Sequence, residues 1–276
     1  MTDLIQRLNE KSNSALIMGV VNVTPDSFSD GGAFFEPQNA IQHAMQLLEE
    51  GADILDIGGE STRPGADIIS DEDEVNRVVP VIEGVKEKAS FISIDTRNAQ
   101  TMHKALKAGA NIINDVSGLM HDPESIAVAA ESNCPVCIMH MKGTPQTMQD
   151  SPIYDDVVDE VLHYFEERLN FCSKNGVNPE RVVLDPGIGF GKTLDHNVSI
   201  LKHMQRIKAM GSPVLLGTSR KSFIGAISGE QDAKKRFPGS LASLLAVIKH
   251  VDIVRVHDVA ETRQALDVYQ AICCAD

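Results

Sequence analysis

The chain has 276 residues, of which 42% are hydrophobic, so it is long enough and apolar enough to bury a sizeable core. Its formal net charge of −14 argues against non-specific binding to nucleic acid or anionic lipid, because both require positive patches. The five cysteines form no even framework, and the chain has neither a secretory signal nor a run of about twenty apolar residues. These features predict a cytoplasmic protein without a membrane span.

Short apolar segments that favour β-strands alternate with segments of helical periodicity along the chain. The predicted strands are 16–23, 54–57, 91–94, 112–116, 136–139, 182–184, 214–217 and 253–256. The predicted helices are 39–50, 73–89, 99–108, 123–132, 155–175, 197–210, 240–249 and 260–271. Parallel strands need crossover helices and eight strands close a sheet, so the pattern predicts an α/β fold, a single-domain (β/α)8 TIM barrel. A doubly wound open sheet is the alternative.

Polar or charged residues occur at the end of every predicted strand. They are Asn22, Glu60, Asp95, Asn114, Asp115, His140, Asp185, Ser219, Arg220 and His257. In a barrel the strand ends converge on one face, where the catalytic groups of this fold lie, whereas an open sheet would spread them along its edge. The pattern therefore favours the barrel and predicts an active site at its mouth.

Three of these residues suggest what the site binds. Asp95, Asn114 and Asp185 close three different strands and together offer two carboxylates and an amide. Such a set suits a flat heterocycle that has adjacent N–H donors and one carbonyl. Each residue alone could instead cap a helix or fix its own loop. The three together predict a binding site.

The segment 185–192 turns a predicted strand into a glycine-rich loop. Its glycines allow the backbone to approach a ligand, while Phe190 offers a flat face and Lys192 a positive charge. An ordinary βα turn is the alternative interpretation of this segment. A nucleotide-binding Walker A loop would need glycine at position 186, and the chain has Pro186 there.

A second group of residues predicts an anion site. The segment 219–222 combines backbone N–H groups at the start of a predicted helix with two cations and two hydroxyls. Arg255 and His257 lie on one side of the last strand, and Arg63 follows the second. With Asn22, they could hold a leaving group that carries several negative charges.

A divalent cation would assist such a leaving group. No histidine, cysteine and aspartate cluster has zinc spacing, so Mg²⁺ held mostly by ligand oxygens and water is the predicted ion. Asn22, with Asp26 or Asp30 nearby, could supply a protein oxygen.

Seven segments, in their order along the chain, closely resemble the dihydropteroate synthase family. They are 22–32, 58–65, 114–115, 139–141, 185–192, 219–222 and 255–257. The resemblance extends from about residue 16 to the end of the chain. It implies a TIM barrel, Mg²⁺, a homodimer, and a folate-pathway transferase that joins 6-hydroxymethyl-7,8-dihydropterin diphosphate to 4-aminobenzoate. It also implies competition between sulfonamides and 4-aminobenzoate.

The resemblance also assigns residues to three pockets. The pterin pocket would comprise Asp95, Asn114, Asp185 and Lys221. The diphosphate and metal site would comprise Asn22, Thr62, Arg63, Arg255 and His257, with Asn22 as the metal ligand. The aminobenzoate pocket would comprise Phe28, Thr62, Pro64, Phe190, Lys221 and Ser222. The expected catalytic residues are Asn22, Asp185, Lys221, Arg255 and His257.

Two other functions remain open at this point. A methyltransferase that passes a methyl group from methyltetrahydrofolate to a corrinoid partner would share the Asp95, Asn114 and Asp185 pocket, but it would not need the predicted diphosphate site. A non-catalytic pterin-binding protein would not need it either. The segments 1–13 and 230–237 carry no predicted role.

Overall fold

The structure, a computed structural model, describes residues 4–9, 15–24, 37–61, 69–144, 147–148 and 152–273. Its strands are β1 (Leu16–Asn22), β2 (Ile54–Gly58), β3 (Phe91–Asp95), β4 (Ile112–Asp115), β5 (Val136–Met139), β6 (Val182–Asp185), β7 (Leu215–Leu216) and β8 (Ile253–Val256). All neighbouring pairs are parallel, in the order β6-β5-β4-β3-β2-β1-β8-β7. A parallel bridge between Leu184 and Val214 joins the two edge strands. The predicted barrel is therefore confirmed, although β7 is only two residues long.

Helices alternate with the strands. They are α1 (Leu4–Asn9), α2 (Pro37–Glu49), α3 (Asp71–Val85), α4 (Ala99–Ala108), α5 (Ser125–Ser132), α6 (Val157–Lys174), α7 (Leu194–Lys202), α8 (Met204–Lys208), α9 (Ser222–Ser228), α10 (Phe237–Leu245) and α11 (Val259–Cys273). Within the described ranges, no helix is both long and apolar enough to cross a membrane.

The helix predicted over 197–210 is divided, which corrects the prediction. His203 leaves helical geometry, with φ −111° and ψ 21°, and ends α7. Its N–H donates to the carbonyls of Ser199 and Ile200, and its Nδ1 lies 2.8 Å from the Ser199 oxygen. These contacts close the last turn of α7 before α8 begins.

The interior of the barrel has an apolar layer at the amino-terminal end of the strands. It contains Leu4, Leu16, Met18, Ile54, Phe91, Ile112, Cys137, Val183, Leu215 and Ile253. Most of these residues stand at or near the first position of their strands. Leu4 belongs to α1 and is only 2% exposed, so this helix closes the bottom of the barrel. The sequence pattern had given this segment no role.

Replacing Leu4 with alanine is expected to lower the free energy of unfolding by about 2–5 kcal/mol, because the truncation leaves a cavity in this layer. Urea unfolding would measure the loss. Leu8 packs against the same layer but is only partly buried, so Leu8→Ala should cost less. A Leu4→Ala variant as stable as the wild type would show that α1 does not hold the bottom of the barrel.

Candidate active site

A polar layer lies above the apolar layer, toward the carboxyl ends of the strands. Side chains alternate along a strand, so residues two or four positions beyond the apolar layer also point into the barrel. The polar residues that this rule selects are Asn22, Asp56, Ser93, Asp95, Asn114, Asp185, Ser219, Arg255 and His257. The strand register sets Asn22, Gly58, Asp95 and Asn114 side by side across β1 to β4. The barrel mouth is therefore lined by charged and amide groups.

Arg255 joins this layer across the barrel. Its Nε donates to Asp56 Oδ2 at 2.6 Å, and its Nη2 donates to Asp95 Oδ2 at 2.7 Å. Asn114 Nδ2 lies 3.2 Å from both oxygens of Asp56. Burial alone would lower the pKa of Arg255, but the two carboxylates raise it, so the guanidinium stays charged. One cation thus holds side chains of β2 and β3 in place.

Asp56 is a central residue that the sequence analysis missed. It is completely buried, and it contacts both Arg255 and Asn114. The apolar run 54–57 predicts a strand, and the site residue predicted for it is Glu60, which follows the run. The available signal was a lone carboxylate inside an otherwise apolar strand, at an inward-facing position two residues beyond Ile54. A charge is rarely buried in this way without a partner.

Three oxygen atoms remain available to a ligand. Asp95 uses Oδ2 for Arg255, and Asp185 uses Oδ1 to accept the N–H of Gly187 at 2.8 Å. No described residue donates to Asp95 Oδ1, Asn114 Oδ1 or Asp185 Oδ2. Burial raises the pKa of Asp185, and it raises that of Asp95 to about 7 although Arg255 opposes the shift. The structure thus brings the three predicted acceptors to one mouth.

Lys221 and Phe190 lie together at this mouth. The Lys221 Nζ is 4.1 Å from the centroid of the Phe190 ring, which is a cation–π contact. Burial lowers the pKa of Lys221 to about 8, while the negative charge of Asp185 acts in the opposite direction. Lys221 immediately precedes α9 without a capping hydrogen bond from its side chain, and Ser222 is exposed as the first residue of that helix. Lys221 is therefore a cation placed between a carboxylate and an aromatic face.

His257 lies beside the loop after β7. Its Nδ1 is 3.0 Å from Ser219 Oγ, and its backbone N–H donates to the same hydroxyl at 3.3 Å. Burial, Arg255 and Arg220 lower the pKa of His257 to about 3, so the ring is neutral near pH 7. Arg220 has a left-handed backbone, with φ 59°, and its guanidinium forms an ion pair with Asp258. One of the two cations predicted for the anion site is thus already paired.

Other polar residues at the strand ends support loops instead of lining the mouth. Asp115 is completely buried and accepts from the N–H groups of Ser117 and Leu119. Glu60 forms a two-contact ion pair with Arg97, at 2.9 and 3.0 Å. Asp115 therefore fixes its own loop, whereas Glu60 joins the loop after β2 to the loop after β3.

The expectation that Lys192 offers its charge to a ligand is wrong. Lys192 is only 3% exposed, and its Nζ donates to the backbone oxygens of His140, Gly187 and Phe190. The side chain folds back under the glycine-rich loop, where two loop carbonyls and the His140 carbonyl and ring surround its Nζ at 2.9–3.1 Å. Its ammonium therefore supports the loop from beneath.

Some predicted residues lie outside the described part of the chain. They are Asp26, Phe28, Asp30, Thr62, Arg63 and Pro64. Asn22 is described, and it lies half-buried at the end of β1. No described residue contacts its amide oxygen, and the described residues contain no group of three or more histidine, cysteine or acidic side chains that could hold a metal.

Comparisons with known proteins identify the family of the chain. A family model described as "Pterin binding enzyme" matches residues 18–257. Dihydropteroate synthase of Neisseria meningitidis serogroup B is 50% identical over 262 residues, which cover 93% of this chain and 92% of that protein. The structure of Xanthomonas albilineans dihydropteroate synthase with 4-aminobenzoic acid superposes with a TM-score of 0.89 at 44% identity and covers 95% of this chain and 94% of that one.

A second solved structure shows the same likeness. Yersinia pestis dihydropteroate synthase in a sulfonamide drug complex gives a TM-score of 0.89 at 40% identity and covers 95% of each chain. Both the sequence relatives and the solved structures match nearly the whole chain, including the strands that carry Asp95, Asn114, Asp185 and Arg255. The chain therefore belongs to the dihydropteroate synthase family of pterin-binding enzymes.

Proposed function

We propose that this transferase condenses 6-hydroxymethyl-7,8-dihydropterin diphosphate with 4-aminobenzoate, releasing pyrophosphate and forming 7,8-dihydropteroate for folate synthesis. The observation that carries the proposal is the set of three available oxygens on Asp95, Asn114 and Asp185, next to the cation of Lys221. The named relatives give no support to the methyltransferase alternative or to a non-catalytic binding protein.

Recognition of the pterin follows from donors and acceptors. Asn114 donates its amide N–H to Asp56, which leaves Oδ1 as an acceptor toward the mouth. Asp95 and Asp185 each present one further oxygen. A pterin edge carries several N–H donors and one carbonyl, so the three oxygens would accept from the ring and Lys221 would donate to it. Such a set would reject rings that lack those donors.

The same carboxylates would assist the reaction. When pyrophosphate leaves the methylene carbon, positive charge develops on that carbon and spreads into the electron-rich dihydropterin. Burial raises the pKa of Asp95 and Asp185, but a developing cation beside them would favour their ionised forms. The two carboxylates would then stabilise this charge, because little water screens them. The arylamine is a neutral nucleophile near pH 7, so it needs positioning more than a strong base.

The departing diphosphate would be held by Asn22, Thr62, Arg63, Arg255 and His257. Arg255 commits Nε and Nη2 to Asp56 and Asp95, which leaves Nη1 for the ligand. Asn22 would bind Mg²⁺ through its amide oxygen, and the ion would neutralise charge on the leaving oxygens. His257 is neutral without ligand, so an approaching diphosphate would favour its protonation.

Replacing His257 with alanine is expected to weaken binding of the dihydropterin diphosphate by about tenfold or more, since a hydrogen bond to a charged group contributes about 1.5–3 kcal/mol. Binding of the bare pterin should change little, because the His257 ring bonds to Ser219 and to none of Asp95, Asn114 and Asp185. Calorimetric titration with the two ligands measures the difference. Equal losses for both would contradict the phosphate role.

The aminobenzoate would bind against Phe28, Thr62, Pro64, Phe190, Lys221 and Ser222. Sulfonamides share the aryl group of this substrate, so they should compete with it at the pocket. We expect the apparent KM for 4-aminobenzoate to rise in proportion to sulfonamide concentration while kcat stays constant. A fall in kcat at unchanged KM would instead place the drug at another site.

The first test of the proposed function measures pyrophosphate release from the dihydropterin diphosphate and Mg²⁺, with and without 4-aminobenzoate. Release coupled to dihydropteroate formation is the expected result. Pterin binding without release would contradict the synthase activity and would favour sequestration. Further parts of the proposal are a homodimer, which sedimentation would test, and a cytoplasmic location, which cell fractionation would test.

A further inference from the structure

Lys192 makes an unusual set of contacts for a lysine. Its Nζ lies 3.1 Å from the His140 carbonyl, 3.0 Å from the Gly187 carbonyl and 3.0 Å from the Phe190 carbonyl. It also lies 2.9 Å from His140 Nδ1. An ammonium carries three donors and no acceptor, so the neutral ring accepts through Nδ1, and two of the four acceptors share one N–H. Burying a charge without a carboxylate at hydrogen-bond distance is costly unless such acceptors surround it.

The loop that Lys192 holds is pressed against the end of β5. Gly187 and Gly191 have φ values of 65° and 61°, and a Cβ on either would overlap the backbone oxygen of His140 or Lys142. Tyr154 donates its hydroxyl to the Gly191 carbonyl at 2.8 Å. The backbone of this loop therefore packs tightly against the residues that follow β5. Lys192 holds it there by binding the Gly187 and Phe190 carbonyls from the buried side.

The two ends of the loop depend on Lys192 to different degrees. Asp185 belongs to β6, where its carbonyl accepts the His140 N–H at 2.9 Å, so the sheet fixes its backbone. Phe190 lies five residues beyond, outside any strand or helix. Its carbonyl is bound by Lys192, and its ring lies under the Lys221 ammonium. Loss of Lys192 should therefore displace Phe190 more than Asp185.

We propose that Lys192 is a positioning residue for the second substrate, which sets the Phe190 ring against Lys221 by holding the carbonyls of Gly187 and Phe190. This inference rests on the proposed function, in which Phe190 and Lys221 contact 4-aminobenzoate. Lys192 touches neither substrate. It acts through the backbone of the loop, and its effect falls on the pocket for the arylamine.

The test replaces Lys192 with methionine, which keeps the length of the side chain and removes every donor. We expect the KM for 4-aminobenzoate to rise by about tenfold, since a displacement of about 1 Å in a positioning group can cost up to 100-fold. The KM for the dihydropterin diphosphate should stay within about twofold of the wild-type value, which is the range expected when two sites act independently. Lys104→Met, at an exposed lysine of α4, is the control for loss of a lysine charge.

A double-mutant cycle with Phe190→Leu separates positioning from general loosening of the fold. If Lys192 acts through Phe190, the double variant should raise the KM for 4-aminobenzoate no further than the larger single effect. If the factors by which the two single changes raise this KM multiply in the double variant, the proposal is overturned. Equal changes in KM for both substrates, or a fall in kcat alone, would overturn it as well.

Two further measurements keep the outcomes distinct. If Lys192→Met does not fold, Lys192→Gln keeps two donors on a shorter stem and should show the same split between substrates at smaller size. Without that split, the proposal fails. A wild-type protein that forms no dihydropteroate would contradict the proposed function itself. Normal wild-type turnover, together with an unchanged KM for 4-aminobenzoate in the Lys192 variants, would contradict only the role of Lys192.

Discussion

Alanine at position 185 is expected to lower kcat/KM by about 100- to 1,000-fold, the loss that follows removal of one preorganised electrostatic group from a buried site. Asp185 is 8% exposed, and it presents one oxygen toward the mouth while the other accepts from Gly187. Its loss would remove an acceptor for the pterin and a negative charge beside the developing cation. Steady-state kinetics, in which one substrate is varied while the other is saturating, would measure the change for each substrate.

The fold should survive this substitution, because Asp185 lies at the barrel mouth and not in the apolar layer below. Circular dichroism and urea unfolding would check this. Asp195→Ala, at an exposed position of α7, is the matched control and should retain activity. Lys221→Ala, which removes a positive charge from the same mouth, should lower kcat/KM by a similar factor. Near-normal turnover in either active-site variant would refute the site assignment.

Alanine at position 56 is expected to reduce both stability and pterin affinity. Asp56 accepts from Arg255 and Asn114, and breaking a buried ion pair by removing one partner typically costs about 3–5 kcal/mol. Asn114 would also be free to turn its amide, so its acceptor oxygen would no longer be directed at the pterin. Urea unfolding and calorimetric titration with the bare pterin would measure the two effects.

Asp267→Ala, at an exposed position of α11, is the control for loss of a carboxylate. It should leave both quantities unchanged. If Asp56→Ala kept full pterin affinity at reduced stability, Asp56 would support the barrel without orienting Asn114. If neither quantity changed, the contacts between β2 and β8 would be of little consequence.

Much of the fold and part of the site could be predicted from sequence because strand ends are marked by abrupt changes from apolar to polar residues. Asp95, Asn114 and Asp185 are found this way, Arg255 is found from its alternation with His257, and the structure brings these residues to one mouth. Asp56 was missed because it lies inside its strand, where only the two-residue alternation distinguishes it. That alternation becomes informative once the barrel identifies which face is inside.

The directions of long cationic side chains could not be predicted. Lys192 and Lys221 both stand near the glycine-rich loop, yet one ammonium lies under the loop and the other lies over the Phe190 ring. Arg220 was expected to face an anion and instead pairs with Asp258. The flexible stem of a lysine or arginine reaches acceptors on either side of the chain. The direction of the side chain therefore depends on which carbonyls, carboxylates or rings lie near it in the folded protein. That information exists only after the loops have been placed.

The contacts of Arg255 also bear on how the protein is made. They join residues that are 199 and 160 positions apart, between the last strand and the second and third. Until β8 emerges and docks, Asp56 and Asp95 have no cation beside them, and closing the sheet around them would bury two unpaired charges. A nascent chain lacking β8 should therefore stay open and bind no pterin. Pterin binding would then report that synthesis and folding of the barrel are complete.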